Sequence, residues 1–163
     1  MSLSQLKLKK GSEIIISPLT YVATISAILH VGARPVFVDV GEDFNLDVDQ
    51  IEKKITKKTK CILPVHLFGR CCDMNKINQL AEKYNLSVIE DAAQSFGSKI
   101  KRKFSGTFGD IGCFSLHPMK TLNVLGDGGF IVTNNSKYAN KIRTLRDHGR
   151  LKKKNKNLYL YYG

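Results

Sequence analysis

Short runs rich in isoleucine and valine, bounded by polar turns and separated by segments of helical period, recur along this chain and limit what it can fold into. The runs cover residues 13–17, 35–40, 60–65 and 86–90. Each is too short for a helix and reads as a buried strand. Segments 22–31, 48–55 and 74–84 read as helices, and in the last Ile77, Leu80, Ala81 and Tyr84 share one face. Asp73 stands where its carboxylate can accept the orphan N–H groups of that helix's first turn. Runs 111–115 and 129–133 add strands, and 138–146 a further helix. Strand alternating with helix at this spacing predicts an α/β fold, a three-layer sandwich whose mostly parallel sheet is covered on both faces. Ligands of such sheets gather at the C-terminal ends of the strands.

Composition fits one such domain. The 163 residues contain no internal repeat and no Pro- or Ser-rich linker, and 42% are hydrophobic, enough for a buried core. Residues 1–10 mix Leu with Ser, Gln and Lys, with no apolar stretch suited to a signal peptide or a membrane span, so a cytoplasmic protein is expected. Cys61, Cys71, Cys72 and Cys113 form no Cys-x-x-Cys pair; they are expected to be reduced thiols, and no metal is implied. The net charge of +12, from 26 Lys and Arg against 14 Asp and Glu, suits an anionic partner. A nucleic-acid-binding regulator would need a localised patch with interleaved aromatics, and the dense run 150–156 contains none. A solvated Lys-rich surface, which would also draw an anionic small substrate, is the expectation.

The two ends look less like a finished domain. Only a scrap of helix is expected before Gly11, which reads as its C-cap, and the chain closes on the aromatic run 159–163, costly to leave in water without a partner surface. The chain is therefore expected to be cut at both ends.

Chemistry concentrates in two segments. In 88–94 (VIEDAAQ) a carboxylate follows a buried run, at the end of a strand. Asp91 could pair there with a protonated ring nitrogen, as pyridoxal-phosphate (PLP) enzymes require to keep the pyridinium an electron sink, or it could cap the next helix. In 112–120 (GCFSLHPMK) a strand runs into a polar turn that would hold the amine of Lys120 at the sheet edge, where burial and nearby cations can ready a lysine for Schiff-base formation. The glycines of 126–129 (GDGG) mark a tight turn with close backbone approach. Four histidines are present, but no Gly-x-Ser-x-Gly elbow, His-Glu-x-x-His helix or P-loop.

These segments together resemble the sugar aminotransferases of the DegT/DnrJ/EryC1/StrS family, within the fold-type I aspartate aminotransferase superfamily. The resemblance runs from about Gly11 to Gly149 on collinear pieces: 17–24 (SPLTYVAT), 32–39 (GARPVFVD), 64–69 (PVHLFG), 90–94 (EDAAQ), 114–120 (FSLHPMK) with 126–129, and 145–149 (LRDHG). It implies a PLP enzyme in which Lys120 forms the covalent imine with the cofactor and shuttles the proton, and Asp91 pairs with the pyridinium nitrogen. Gln94 would stand beside the phenolic oxygen, the Ser115 hydroxyl would help hold the phosphate, and Tyr21 would stack on the pyridine ring. Retention of Lys120, which dehydrating relatives replace by histidine, implies amino transfer. His117 carries no implied catalytic role, and His66 could line the site or pack beneath it, with packing the expectation.

The implied reaction converts a nucleotide-linked keto sugar to an amino sugar, with glutamate or glutamine as donor, in surface polysaccharide, lipopolysaccharide or glycan biosynthesis. Full-length relatives of this kind form homodimers with sites built across the interface. They carry an upstream Gly-Thr segment at a helix N-terminus for the phosphate, and a downstream Asn-Ser-Arg segment followed by a small domain. Residues 1–163 are thus expected to be a partial large domain, inactive alone. The alternatives are an inactive fragment or pseudoenzyme of the same fold and, more remotely, the basic nucleic-acid-binding regulator.

Overall fold

The computed structural model describes residues 1–153 and 156–159, so residues 154–155 and 160–163, on which the expectations about the basic and aromatic C-terminal runs partly rest, lie outside it. Six strands form one sheet: β1 (Glu13–Ile16), β2 (Arg34–Phe37), β3 (Thr59–Ile62), β4 (Ser87–Asp91), β7 (Ile111–Ser115) and β8 (Gly129–Val132). Their order is β2-β1-β3-β4-β7-β8, parallel throughout except for β8, which runs antiparallel to β7. Two small hairpins stand apart: β5 (Lys99–Ile100) with β6 (Lys103–Phe104), and β9 (Arg150–Lys153) with β10 (Lys156–Tyr159).

Strand β1, an inner strand, shows why the sheet is covered twice. Ile14, Ile15 and Ile16 are consecutive, so their side chains point alternately to the two faces, and all three are fully buried. Ile14 and Ile16 pack with Ile28 of helix α1 (Val22–His30) and Ile142 of helix α4 (Ser136–Arg146). Ile15 packs on the other face with Ile51 of α2 (Val48–Lys54) and Met74, Ile77 and Ala81 of α3 (Met74–Tyr84). The expected α/β three-layer architecture is what forms.

Helix ends follow local chemistry. The Asp73 carboxylate accepts the Lys76 N–H at 3.1 Å, and Asn85 closes α3 in the left-handed region at φ 51°. Asn135 caps α4 through the N–H groups of Lys137 and Tyr138. Gly11 differs from its expected role: the only preceding helix is a 3₁₀ turn ending at Gln5, and Gly11 sits in a turn before β1, its N–H donating to the Gly32 carbonyl.

From β1 the chain crosses to β2 on one side and then, from β2, to β3 on the other. The loops leaving β1 and β3 therefore diverge, and the opening between them is the place where open α/β sheets take ligands.

Candidate functional site

Each residue singled out from the sequence lies at or just beyond the C-terminal end of a parallel strand. Tyr21 follows β1 as the N-cap of α1, Asp91 ends β4, Gln94 is in the turn after it, Ser115 ends β7, and Lys120 lies in the turn beyond β7. β4 and β7 are adjacent, with Asp91 in register with Cys113, so the carboxylate and the lysine-bearing turn are brought to one edge. The Lys120 Nζ stands 5.9 Å from the Tyr21 ring centroid.

Asp91 is half-buried and its two oxygens are differently engaged. Oδ1 accepts the Ala93 N–H at 3.0 Å, and Oδ2 accepts the Thr24 hydroxyl at 2.7 Å. A carboxylate has about four acceptor positions, so capacity remains for a cationic N–H. No helix follows Asp91: residues 92–98 are turns, and the Ala93 bond closes a local turn in place of a helix cap. Gln94 Oε1 accepts the Phe68 N–H at 2.9 Å, which leaves the Nε2 end of the amide as donor.

The lysine turn is held from within. Ser115 Oγ accepts the His117 N–H at 3.3 Å, His117 Nδ1 accepts the Met119 N–H at 3.2 Å, and the Lys120 N–H donates to the His117 carbonyl at 2.8 Å. The close approach expected at 126–129 occurs at Gly129, which pairs with Ser115: a Cβ there would lie 2.7 Å from the Phe114 carbonyl oxygen.

A cavity of about 1260 Å³ opens beside these groups, between α1 and α4 over the strand ends, with Thr24, Asp91, Cys113, Ser115 and Arg143 in its wall. The residues present fit PLP: Asp91 and Ser115 in the cavity wall offer a carboxylate for the ring nitrogen and a hydroxyl, while Tyr21, Gln94 and Lys120, in the loops beyond the strand ends, offer an aromatic ring, an amide donor and an amine.

Glu90 is the buried neighbour of Asp91 to which sequence reasoning gave no role. It alternates with Asp91 on β4, points to the other face and is fully buried. Oε1 accepts the N–H groups of Phe108 (2.7 Å) and Gly109 (2.6 Å); Oε2 accepts the Gly106 N–H (2.7 Å) and faces His66 Nε2 at 2.9 Å. His66 is also fully buried, and its Nδ1 accepts the Cys72 N–H at 3.2 Å, which places the ring proton on Nε2 as donor to Glu90. His66 thus packs beneath the site, as expected. An acidic residue ending an apolar run was the available signal for Glu90; its partners, 16 to 24 residues away, were not.

All four cysteines are free. Burial raises each thiol above its usual range, that of Cys72 to about 12, which makes them poor nucleophiles. No described helix is long and apolar enough to cross a membrane.

Comparison with known proteins gives a consistent picture. The family model of the DegT/DnrJ/EryC1/StrS aminotransferase family matches residues 1–162. The chain is 47% identical over 150 residues to the UDP-N-acetyl-3-dehydro-alpha-D-glucosamine 3-aminotransferase of Acidithiobacillus ferrooxidans, covering 91% of this chain and 41% of that protein. It is 45% identical over 150 residues to the GDP-perosamine synthase of Escherichia coli O157:H7, with the same coverage of each. Among solved structures it superposes on ntda from Bacillus subtilis with bound cofactor PMP at a TM-score of 0.88 and 38% identity, covering 99% of this chain and 37% of that one. The chain spans about two fifths of the length of the curated relatives it matches.

Proposed function

Because the chain belongs to the DegT/DnrJ/EryC1/StrS aminotransferase family, we propose that its protein transfers an amino group from glutamate or glutamine to a nucleotide-linked keto sugar. The observation that carries this reading is the convergence of Asp91, Lys120 and Tyr21 on one sheet edge, beside a cavity that suits PLP. The names of the two relatives refer to UDP- and GDP-linked sugars, which supports a nucleotide sugar as acceptor and a place in glycan, surface polysaccharide or lipopolysaccharide biosynthesis.

PLP, when bound, withdraws electrons from the carbon that gains or loses a proton. Asp91 would hold the ring nitrogen's N–H and favour the positive charge there. Tyr21 would cover the ring and exclude water from it. Gln94 Nε2 would donate to the phenolic oxygen, and Ser115 Oγ would donate to the phosphate. Lys120 Nζ would provide the amine that anchors the cofactor and the base that holds the proton to be moved.

Residues 1–163 make up part of a large PLP-binding domain in this proposal. Backbone amides for the rest of the phosphate come from another segment of the full-length protein. The protein works as a cytoplasmic homodimer, with no nucleic acid or membrane partner. Support comes from exposed Tyr21, Val22, Phe68, Met119 and Leu125, all in or beside the loops that carry the site, which a second subunit would cover. The chain by itself is inactive.

The test is a titration with PLP followed by absorbance, wild type beside Lys120→Ala. A band near the visible edge in the wild type alone supports the reading. Equal spectra for the two proteins count against Lys120 as the anchoring amine.

A further inference from the structure

We propose that Thr24 is a positioning residue for the Asp91 carboxylate, an inference that rests on the PLP reading of the site. The Thr24 hydroxyl donates to Asp91 Oδ2 at 2.7 Å across 67 residues of sequence. Among the described residues it is the one side chain hydrogen-bonded to that carboxylate; the other contact is the Ala93 backbone N–H on Oδ1. The Thr20 hydroxyl donates to Thr24 Oγ1 at 3.3 Å, so the Thr24 proton is committed to Asp91 and its oxygen is occupied from behind.

Two consequences follow for the site. With one donor on each oxygen the carboxylate plane is fixed, and acceptor capacity remains on a group that, like Thr24, lines the cavity. Thr24 also lies in the first turn of α1, three residues after Tyr21. The same bond therefore ties the helix that begins with the aromatic ring to the strand that ends in the carboxylate, and sets their separation. Without the hydroxyl, Asp91 can turn about its terminal torsion, and its contact with a pyridinium N–H weakens while the rest of the site stands.

The discriminating experiment compares two ligands, PLP and its 1-deaza analogue, which carries C–H where PLP has the ring nitrogen. Dissociation constants are measured by equilibrium dialysis for wild type, Thr24→Val and Thr24→Ser. The expected result is about tenfold weaker PLP binding for Thr24→Val, the scale of one hydrogen bond to a charged group. The analogue should be bound as by the wild type, and Thr24→Ser should restore PLP binding. Equal weakening of both ligands, whether from a displaced helix or from misfolding, overturns the positioning role and leaves the PLP reading intact. So does unchanged PLP binding by Thr24→Val. A wild type that binds neither ligand overturns both readings.

Discussion

Glu90 has no contact with solvent, yet its two oxygens collect three backbone N–H groups and the His66 ring. A buried carboxylate survives only when its lone pairs are used in this way. Replacing it with glutamine turns one oxygen into a donor that faces other donors. Glu90→Gln is expected to lower stability by about 3 kcal/mol, read from chemical denaturation. Glu13, at the opposite edge of the sheet, shows a different balance. Hydrogen bonds from Thr56 and then Arg34 hold its carboxyl below the ordinary value of 4.5. A depressed folded-state value means that the ionised form stabilises the fold above about pH 4.5 and that this contribution fades as pH falls through the folded-state value. Thr56→Val should therefore flatten the loss of stability between pH 5 and pH 3, followed by thermal melting; an unchanged profile would count against the assignment. The placement of Asp91 and Lys120 at strand ends was legible because each follows an apolar run, whereas Ser115 was named only through the family resemblance. Thr24 and Glu90 act through contacts 16 to 67 residues away, which no local pattern encodes.

At the scale of elements, legibility tracked local signals. Helix α3 forms over the residues its period predicts because both ends are marked, by Asp73 and by Asn85. Asp73→Ala should cost about 1 kcal/mol, measured by denaturation. The hairpin of β5 and β6 was not foreseen: its strands have two residues each and its charged sequence has no apolar alternation. The antiparallel direction of β8 was also hidden, since a buried strand reads alike in either direction. Its pairing has a consequence for the site, because Gly129 faces Ser115 where the backbones come close. Gly129→Ala is expected to destabilise the protein by roughly 1–3 kcal/mol and to shift the amide resonances of the Lys120 turn.

For the whole molecule, the alternation of strand and helix was enough to predict the layers, and the two faces of β1 show why. The +12 charge suits an anionic partner, and salt-dependent retention on heparin without a PLP absorbance band would favour the nucleic-acid-binding alternative. Amino transfer by residues 1–163 alone is expected to be undetectable in a coupled glutamate assay. The central claim is that Lys120 is the residue that anchors PLP. Borohydride reduction of the PLP-treated protein, followed by peptide mass mapping, tests it most directly. The account predicts a pyridoxyl-phosphate mass added to the peptide containing Lys120 and absent in Lys120→Ala. A label spread over surface lysines, or confined to a different one, would contradict it.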